Sequence, residues 1–234
     1  MKIGLIGLGS MGKAAERVAA ERGHEAFGFE RGDKPVLEGL DVVIDFSLGE
    51  AVEDNVRACA EAGVPVVIGS TGWYDRMDVV RELGAGIGVL WSANFLIGVN
   101  MYFKIVEEAA KLIDRFEEYD VWGSEIHHYN KADSPSGTAK KLEKILLDNV
   151  ARKTKVVEDR LERKIEPAEL HFASVRAGAV NFGHTIGFDS AADRITITHE
   201  ARCRDGYALG AVKAAEWLVG QPVGFYGMEE FLGF

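Results

Sequence analysis

Apolar residues in the first ninety positions fall into short continuous runs separated by segments of helical period. Lys2 to Ile6, Glu25 to Phe29, Asp41 to Phe46, Val64 to Ile68 and Ile87 to Trp91 have the length and composition of buried strands. Between them, Met11, Ala14, Ala15, Val18 and Ala19 recur on one helical face, and Gly23 stops that helix. A second helix is predicted from about Glu50 to Ala62, stopped by Gly63, and a third from about Asp75 to Leu83. Strands alternating with helices through short connections predict a doubly wound parallel sheet.

The pattern changes near Asn94–Gly98. A long helix is expected from about Val99 to Phe116, then an alternating strand over YDVWGSEIHH and a helix from about Ala139 to Val150. Strands are expected near His171–Arg176, His184–Asp189 and Arg194–Ala201, with a hairpin-like turn at Asp189–Asp193. Together they predict an open antiparallel or mixed sheet. The charge run at 152–164 has the composition of a solvated face. Ala208 to Val219 closes the pattern as an amphipathic helix. The fold class expected is α/β: a Rossmann-type doubly wound parallel sheet plus a second α+β domain with an open mixed sheet.

Composition narrows the partners. The chain has 234 residues, 47% hydrophobic and 27% charged, as a globular protein does. A net charge of −10 argues against nucleic acid or an anionic membrane as partner, so an anionic ligand needs a local cationic cluster. No apolar run approaches the ~20 residues of a membrane span, and the glycine-broken start is unlike a signal peptide. The two cysteines, Cys59 and Cys203, form no CxxC pair, and Cys59 lies in an apolar stretch as a free thiol would. A reducing cytoplasm fits these features.

Gly7-Leu8-Gly9-Ser10-Met11-Gly12 follows the first strand and opens the first helix, the context of a dinucleotide site. Gly7 permits a tight turn, Gly9 lets the backbone approach a pyrophosphate, and Gly12 lets helix and strand pack closely. Glu30, at the end of the second strand, could accept from a ribose 2′-hydroxyl, and Arg31 could pair with a 2′-phosphate. Both NADH and NADPH therefore stay open. Gly69-Ser70-Thr71 and Ser92-Ala93-Asn94-Phe95 follow strands four and five, at the carboxyl edge where ligands bind in such sheets.

The densest chemistry lies in Glu125–Ala139, EIHHYNKADSPSGTA. If the strand continues through it, Glu125 and His127 share one face and His128 takes the other. Lys131 adds a fixed charge or a proton. Ser134 or Asp133 is expected to cap the next helix with Pro135 in its first turn, leaving amides near Ser136, Gly137 and Thr138 for an anion. Arg176, in Arg176-Ala-Gly178, could clamp a carboxylate or form a strand-edge salt bridge. His184 and His199 lie in strand patterns and are expected to be structural. No metal site is expected, because no third ligand has suitable spacing.

With these residues in view, the chain resembles the 4-hydroxy-tetrahydrodipicolinate reductases, also called dihydrodipicolinate reductases. EIHHYNKADSPSGTA matches the family signature E-x-H-H-x-x-K-x-D-x-P-S-G-T-A. GLGSMG, DVVIDFS, VIGSTG, ANFLIGVN, SVRAG and GMEEFLG follow in the family's order. The chain is short for the family between Arg31 and Asp41, carries Ser70 where threonine is common, and has Phe182 near the place of an expected glycine. The resemblance implies a nucleotide-binding Rossmann domain of residues 1–97 and 208–234. It implies a substrate-binding and oligomerisation domain of residues 98–207 and a cytoplasmic homotetramer. It implies NADH- or NADPH-dependent reduction of a cyclic dicarboxylate in diaminopimelate and lysine biosynthesis. His127 and Lys131 would be catalytic, and His128, Gly137 and Thr138 would bind substrate. Gly7 to Gly12, Glu30, Arg31, Gly69 to Thr71 and Ser92 to Phe95 would contact the nucleotide. Alternatives are a related amino-acid or imine dehydrogenase and a non-catalytic nucleotide sensor, which leaves the HHxxK cluster unexplained.

Overall fold

The computed structural model describes residues 1–234, which divide into two compact units, Met1–Asn100 with Arg204–Phe234, and Met101–Cys203. The first unit begins with β1 (Lys2–Ile6), α1 (Ser10–Glu21), β2 (Glu25–Phe29), β3 (Val42–Asp45), α2 (Val52–Ala62), β4 (Val66–Ile68), α3 (Met77–Leu83) and β5 (Gly88–Trp91). Next come α4 (Ile97–Ile113), β6 (Asp120–His127), α5 (Gly137–Asn149), β7 (Lys155–Val157), β8 (Glu169–Arg176), β9 (Phe182–Asp189) and β10 (Arg194–Ala201). The chain then returns to the first unit through α6 (Asp205–Leu218), β11 (Gly224–Tyr226) and α7 (Met228–Leu232).

The first sheet has six parallel strands in the order β11-β5-β4-β3-β1-β2. The order in which strands are added reverses between β1 and β3, and in doubly wound sheets ligands bind beyond the carboxyl ends at that point. Period-2 alternation explains why the strands are apolar throughout. Ile3, Leu5, Val42, Ile44, Val67 and Leu90 face α1 and α6, while Val43, Val66, Ile68 and Val89 face the residues of α2 and α3. Each fully buried aliphatic side chain is worth about 1.5–3 kcal/mol. The sixth strand was not predicted: β11 is three residues long and half-buried, and its signal is its parallel pairing with the free edge of β5.

The second sheet is mixed, in the order β10-β9-β6-β8-β7. β6 lies at its centre, antiparallel to β9 and parallel to β8, so side chains from three strands converge on its inward face. β6 alternates buried and half-buried residues from Val121 to His127. The charge run is not wholly solvated. β7 forms within it, and Lys153 is 3% exposed. Its ammonium donates to the carbonyls of Pro167 (2.9 Å) and Glu169 (2.7 Å) and pairs with Asp120 at 2.6 Å, so burial leaves no donor stranded. No helix is long and apolar enough to cross a membrane.

Candidate active site

At the carboxyl end of β1 the three fingerprint glycines have different surroundings. Gly7 turns with φ +90°, and a Cβ there would stand 2.7 Å from the Phe46 carbonyl oxygen at the exit of β3. Gly12 lies against Gly7 so closely that a Cβ would overlap the Gly7 carbonyl oxygen. Gly9, the N-cap of α1, faces open space. No side chain caps α1 and no acid lies in its first turn. Its first amides and its dipole are therefore available to an anion. Leu8 lies over Gly28 of β2, and exposed Ser10 and half-buried Met11 begin the helix.

The other nucleotide candidates border the same edge. Glu30 and Arg31 are exposed just past β2, and Arg31 Nη2 is 3.4 Å from Glu50. Asp45 ends β3 fully buried and accepts from the Ser47 amide (2.7 Å), Asn55 (3.0 Å) and the Ser70 hydroxyl (2.9 Å). It thereby ties the exits of β3 and β4 together. The Ser70 hydroxyl is thus engaged inside the protein, while Gly69 is half-buried and Thr71 exposed. Ser92, Ala93 and Asn94 form a loop closed by Ser92 Oγ to the Asn94 carbonyl at 2.9 Å. Phe95 is 2% exposed and part of the core. Ser70 and Phe95 are both buried, and the Ser70 carbonyl accepts from Trp73 Nε1 at 2.8 Å.

In the second unit, Glu125 and His127 lie on the buried face of β6, and His128 follows the strand end, half-buried. The helix begins later than expected. Ser136, not Asp133 or Ser134, is the N-cap of α5: its hydroxyl accepts from the Ala139 amide at 3.1 Å. Pro135 precedes the cap, after a cis peptide bond. The Ser136 amide and hydroxyl both donate to Glu125, which leaves the Gly137 and Thr138 amides as open first-turn donors. Lys131 pairs with Asp133 at 2.7 Å. The 176–178 turn docks on this segment: Ala177 N donates to the His127 carbonyl (2.9 Å) and Tyr129 N to that of Gly178 (3.2 Å).

Electrostatics follow from this packing. Burial pushes the Glu125 carboxyl up, but hydrogen bonds from His184, Ser136, Arg176 and Ser174 outweigh it and hold the group well below the usual carboxylate range. His127 is 5% exposed, stacked on Phe182 (centroids 5.8 Å apart) and edge-on to His184 (5.2 Å). Burial pushes its pKa down to about 4, against the opposing pull of Glu125. Its Nδ1 stands 3.5 Å from Glu125 and makes no hydrogen bond. Glu125, His127 and His184 place ligand-type atoms within 4.8 Å of one another. The Arg176 guanidinium already supplies the countercharge there, 2.7 Å from Glu125.

The sequence places Glu125 on the face of His127 but does not show its partners, among them Ser174, or the stacking of Phe182 on His127. The signal for Glu125 was a carboxylate on the buried phase of an alternating strand, which demands internal partners. His184, expected to be structural, is one of those partners.

The chain also compares closely with known proteins. The family model described as dihydrodipicolinate reductase, C-terminus, matches residues 98–232, and the N-terminus model of the same enzyme matches residues 25–95. The chain belongs to the dihydrodipicolinate reductase family. The 4-hydroxy-tetrahydrodipicolinate reductase of Christiangramia forsetii is 36% identical over 239 residues, covering 99% of this chain and 98% of the relative. That of Chromobacterium violaceum is 38% identical over 202 residues, 84% of this chain and 75% of the relative. A dipicolinate-bound dihydrodipicolinate reductase from Paenisporosarcina sp. TG-14 superposes with a TM-score of 0.78 at 20% identity, covering 98% of both chains, and shares the fold. The match of the reductase N-terminus begins at Glu25, so the glycine loop rests on its own geometry.

Proposed function

We infer that this chain reduces 4-hydroxy-tetrahydrodipicolinate to tetrahydrodipicolinate with NADH or NADPH, in diaminopimelate and lysine biosynthesis. The observation that supports this most is the segment from Glu125 to Thr138. It sets a buried imidazole beside a buried carboxylate, a lysine ammonium on Asp133, and open helix amides next to the Ser136 cap, in a chain with a glycine-loop anion site.

Exchange of a ring hydroxyl for hydrogen needs one hydride and one proton, and the hydroxyl leaves as water. Bound NADH or NADPH supplies the hydride. The chain's own groups bind, orient and deliver the proton. Gly137 and Thr138 amides at the α5 N-terminus, with His128, hold the substrate carboxylates, whose charge does not change in the reaction, so these contacts orient rather than react. Because burial keeps His127 neutral at physiological pH, Lys131 is assigned the proton and His127 a neutral polar role beside it. The backbone from Gly7 through Gly12 takes the pyrophosphate, Glu30 and Arg31 the adenosine ribose, and Gly69–Thr71 with Ser92–Phe95 the nicotinamide side. The reading extends to residues 1–97 with 208–234 as nucleotide domain, residues 98–207 as substrate and assembly domain, and a cytoplasmic homotetramer.

The test is loss of NADH or NADPH absorbance on adding enzymatically generated hydroxy-tetrahydrodipicolinate, with light scattering for the assembly. Substrate-independent nucleotide binding with no turnover would overturn the reading.

A further inference from the structure

Glu125 is 2% exposed and carries a charge, which costs several kcal/mol unless donors surround it. Five donors do. Oε1 accepts from the Ser136 amide (3.0 Å), Ser174 Oγ (2.9 Å) and Arg176 Nη2 (2.7 Å). Oε2 accepts from the Ser136 hydroxyl and faces His184 Nε2 at 3.2 Å. These donors come from β8, β9 and the cap of α5, while Glu125 itself stands on β6.

Three of the donor residues also position something else. Ser136 caps α5, so the carboxylate that holds it sets where the next two amides stand. Arg176 Nη2 donates in addition to the Asp133 carbonyl at 2.6 Å, fixing the loop between Lys131 and the cap. His184 lies edge-on to the ring of His127.

We propose that Glu125 is the positioning residue of the catalytic segment. It sets the Gly137–Thr138 amides, the Lys131 loop and the His127 ring by tying Ser136, Arg176 and His184 to one buried point. The inference rests on the reductase reading. Glu125 has no lone pair left for the substrate and acts through its donors, so its loss loosens the dicarboxylate site without touching the glycine-loop site of the other unit.

The experiment compares wild type, Glu125→Gln and Ser174→Ala. Glu125→Gln keeps the shape but turns an amide NH₂ toward the donors. Loss of charge-assisted hydrogen bonds, each worth about 1.5–3 kcal/mol, corresponds to roughly a 10–100-fold rise in the KM for hydroxy-tetrahydrodipicolinate and in the Kd for the probe dipicolinate. NADH affinity, read by fluorescence titration, stays within about twofold, well under the ~1.4 kcal/mol of a tenfold change. Ser174→Ala removes one donor and gives a smaller rise in the same direction. It decides the question if Glu125→Gln does not fold. An unchanged dipicolinate Kd in a folded variant overturns the proposal, as does an equal loss of NADH affinity, which would mark general damage. Wild type that fails to oxidise NADH with this substrate overturns the reductase reading instead.

Discussion

Arg176 Nη2 donates to Glu125 Oε1 at 2.7 Å and, at 2.6 Å, to the carbonyl of Asp133. One guanidinium thereby joins two motifs that lie 51 residues apart in the chain. Of the two roles open to Arg176 in the sequence, the structure shows an ion pair. Arg176→Ala would leave a buried carboxylate without its countercharge, a loss of about 3–5 kcal/mol. Chemical denaturation should show it. Arg176→Lys keeps the charge but cannot serve both acceptors, so it should fold and raise the dicarboxylate KM.

Lys131 carries the proton in the proposed reaction. Lys131→Ala should lower kcat by about 10²–10⁴-fold, the usual worth of general acid catalysis, with NADH affinity retained. His127→Gln removes a neutral group and should cost less. A larger loss in His127→Gln than in Lys131→Ala would reverse the assignment.

Burial gives His127 a testable titration. Its ring should titrate near pH 4 by NMR in the free protein, far below the unperturbed ~6.5. The folded pKa lies below the unfolded one, so the unfolded chain binds the extra proton first. Stability from this group is complete above about pH 6.5 and declines as the pH falls toward 4. Glu125→Gln removes a charge that pulls the pKa up, so the midpoint should drop further.

Glu143 behaves in the opposite sense. Burial on α5, then the charge of Glu158, raise its carboxyl to about 7, against the opposing pull of Lys140. The folded state therefore holds the proton more tightly than the unfolded chain, and stability falls as pH rises from about 4.3 to about 7. Glu143→Gln should raise the Tm at pH 8 and leave it nearly unchanged at pH 4. Equal shifts at both values would show that Glu143 does not titrate in this way.

The fingerprint glycines separate fold from ligand. Gly12→Ala drives a methyl into the Gly7 carbonyl and should destabilise by about 1–3 kcal/mol. Gly9→Ala meets no protein atom within 4 Å and should cost less than ~1 kcal/mol, the difference between these residues as N-caps. Its methyl would stand where the pyrophosphate backbone is proposed to pass, so NADH affinity should fall while Tm holds. Unimpaired NADH binding by Gly9→Ala would remove the phosphates from this loop.

The parallel sheet and the chemistry of its first loop were legible in the chain because they rest on local rules. Continuous apolar strands, helix period and the placing of Gly7, Gly9 and Gly12 each act over a few residues. The alternation that put Glu125 and His127 on one face is equally local, and β6 bears it out. Pairing across long separations decided the rest. The register of β6 against β8 and β9 brings Ser174, Arg176 and His184 to Glu125. Docking of α5 on that carboxylate moves the cap from Ser134 or Asp133 to Ser136. Lys153 is buried because the carbonyls of Pro167 and Glu169 and the carboxylate of Asp120 close around it, and β11 exists because β5 left an edge unpaired. A residue's type and spacing declare what it can do; its desolvation and partners, which set charge and position, come only from chain brought in from far away.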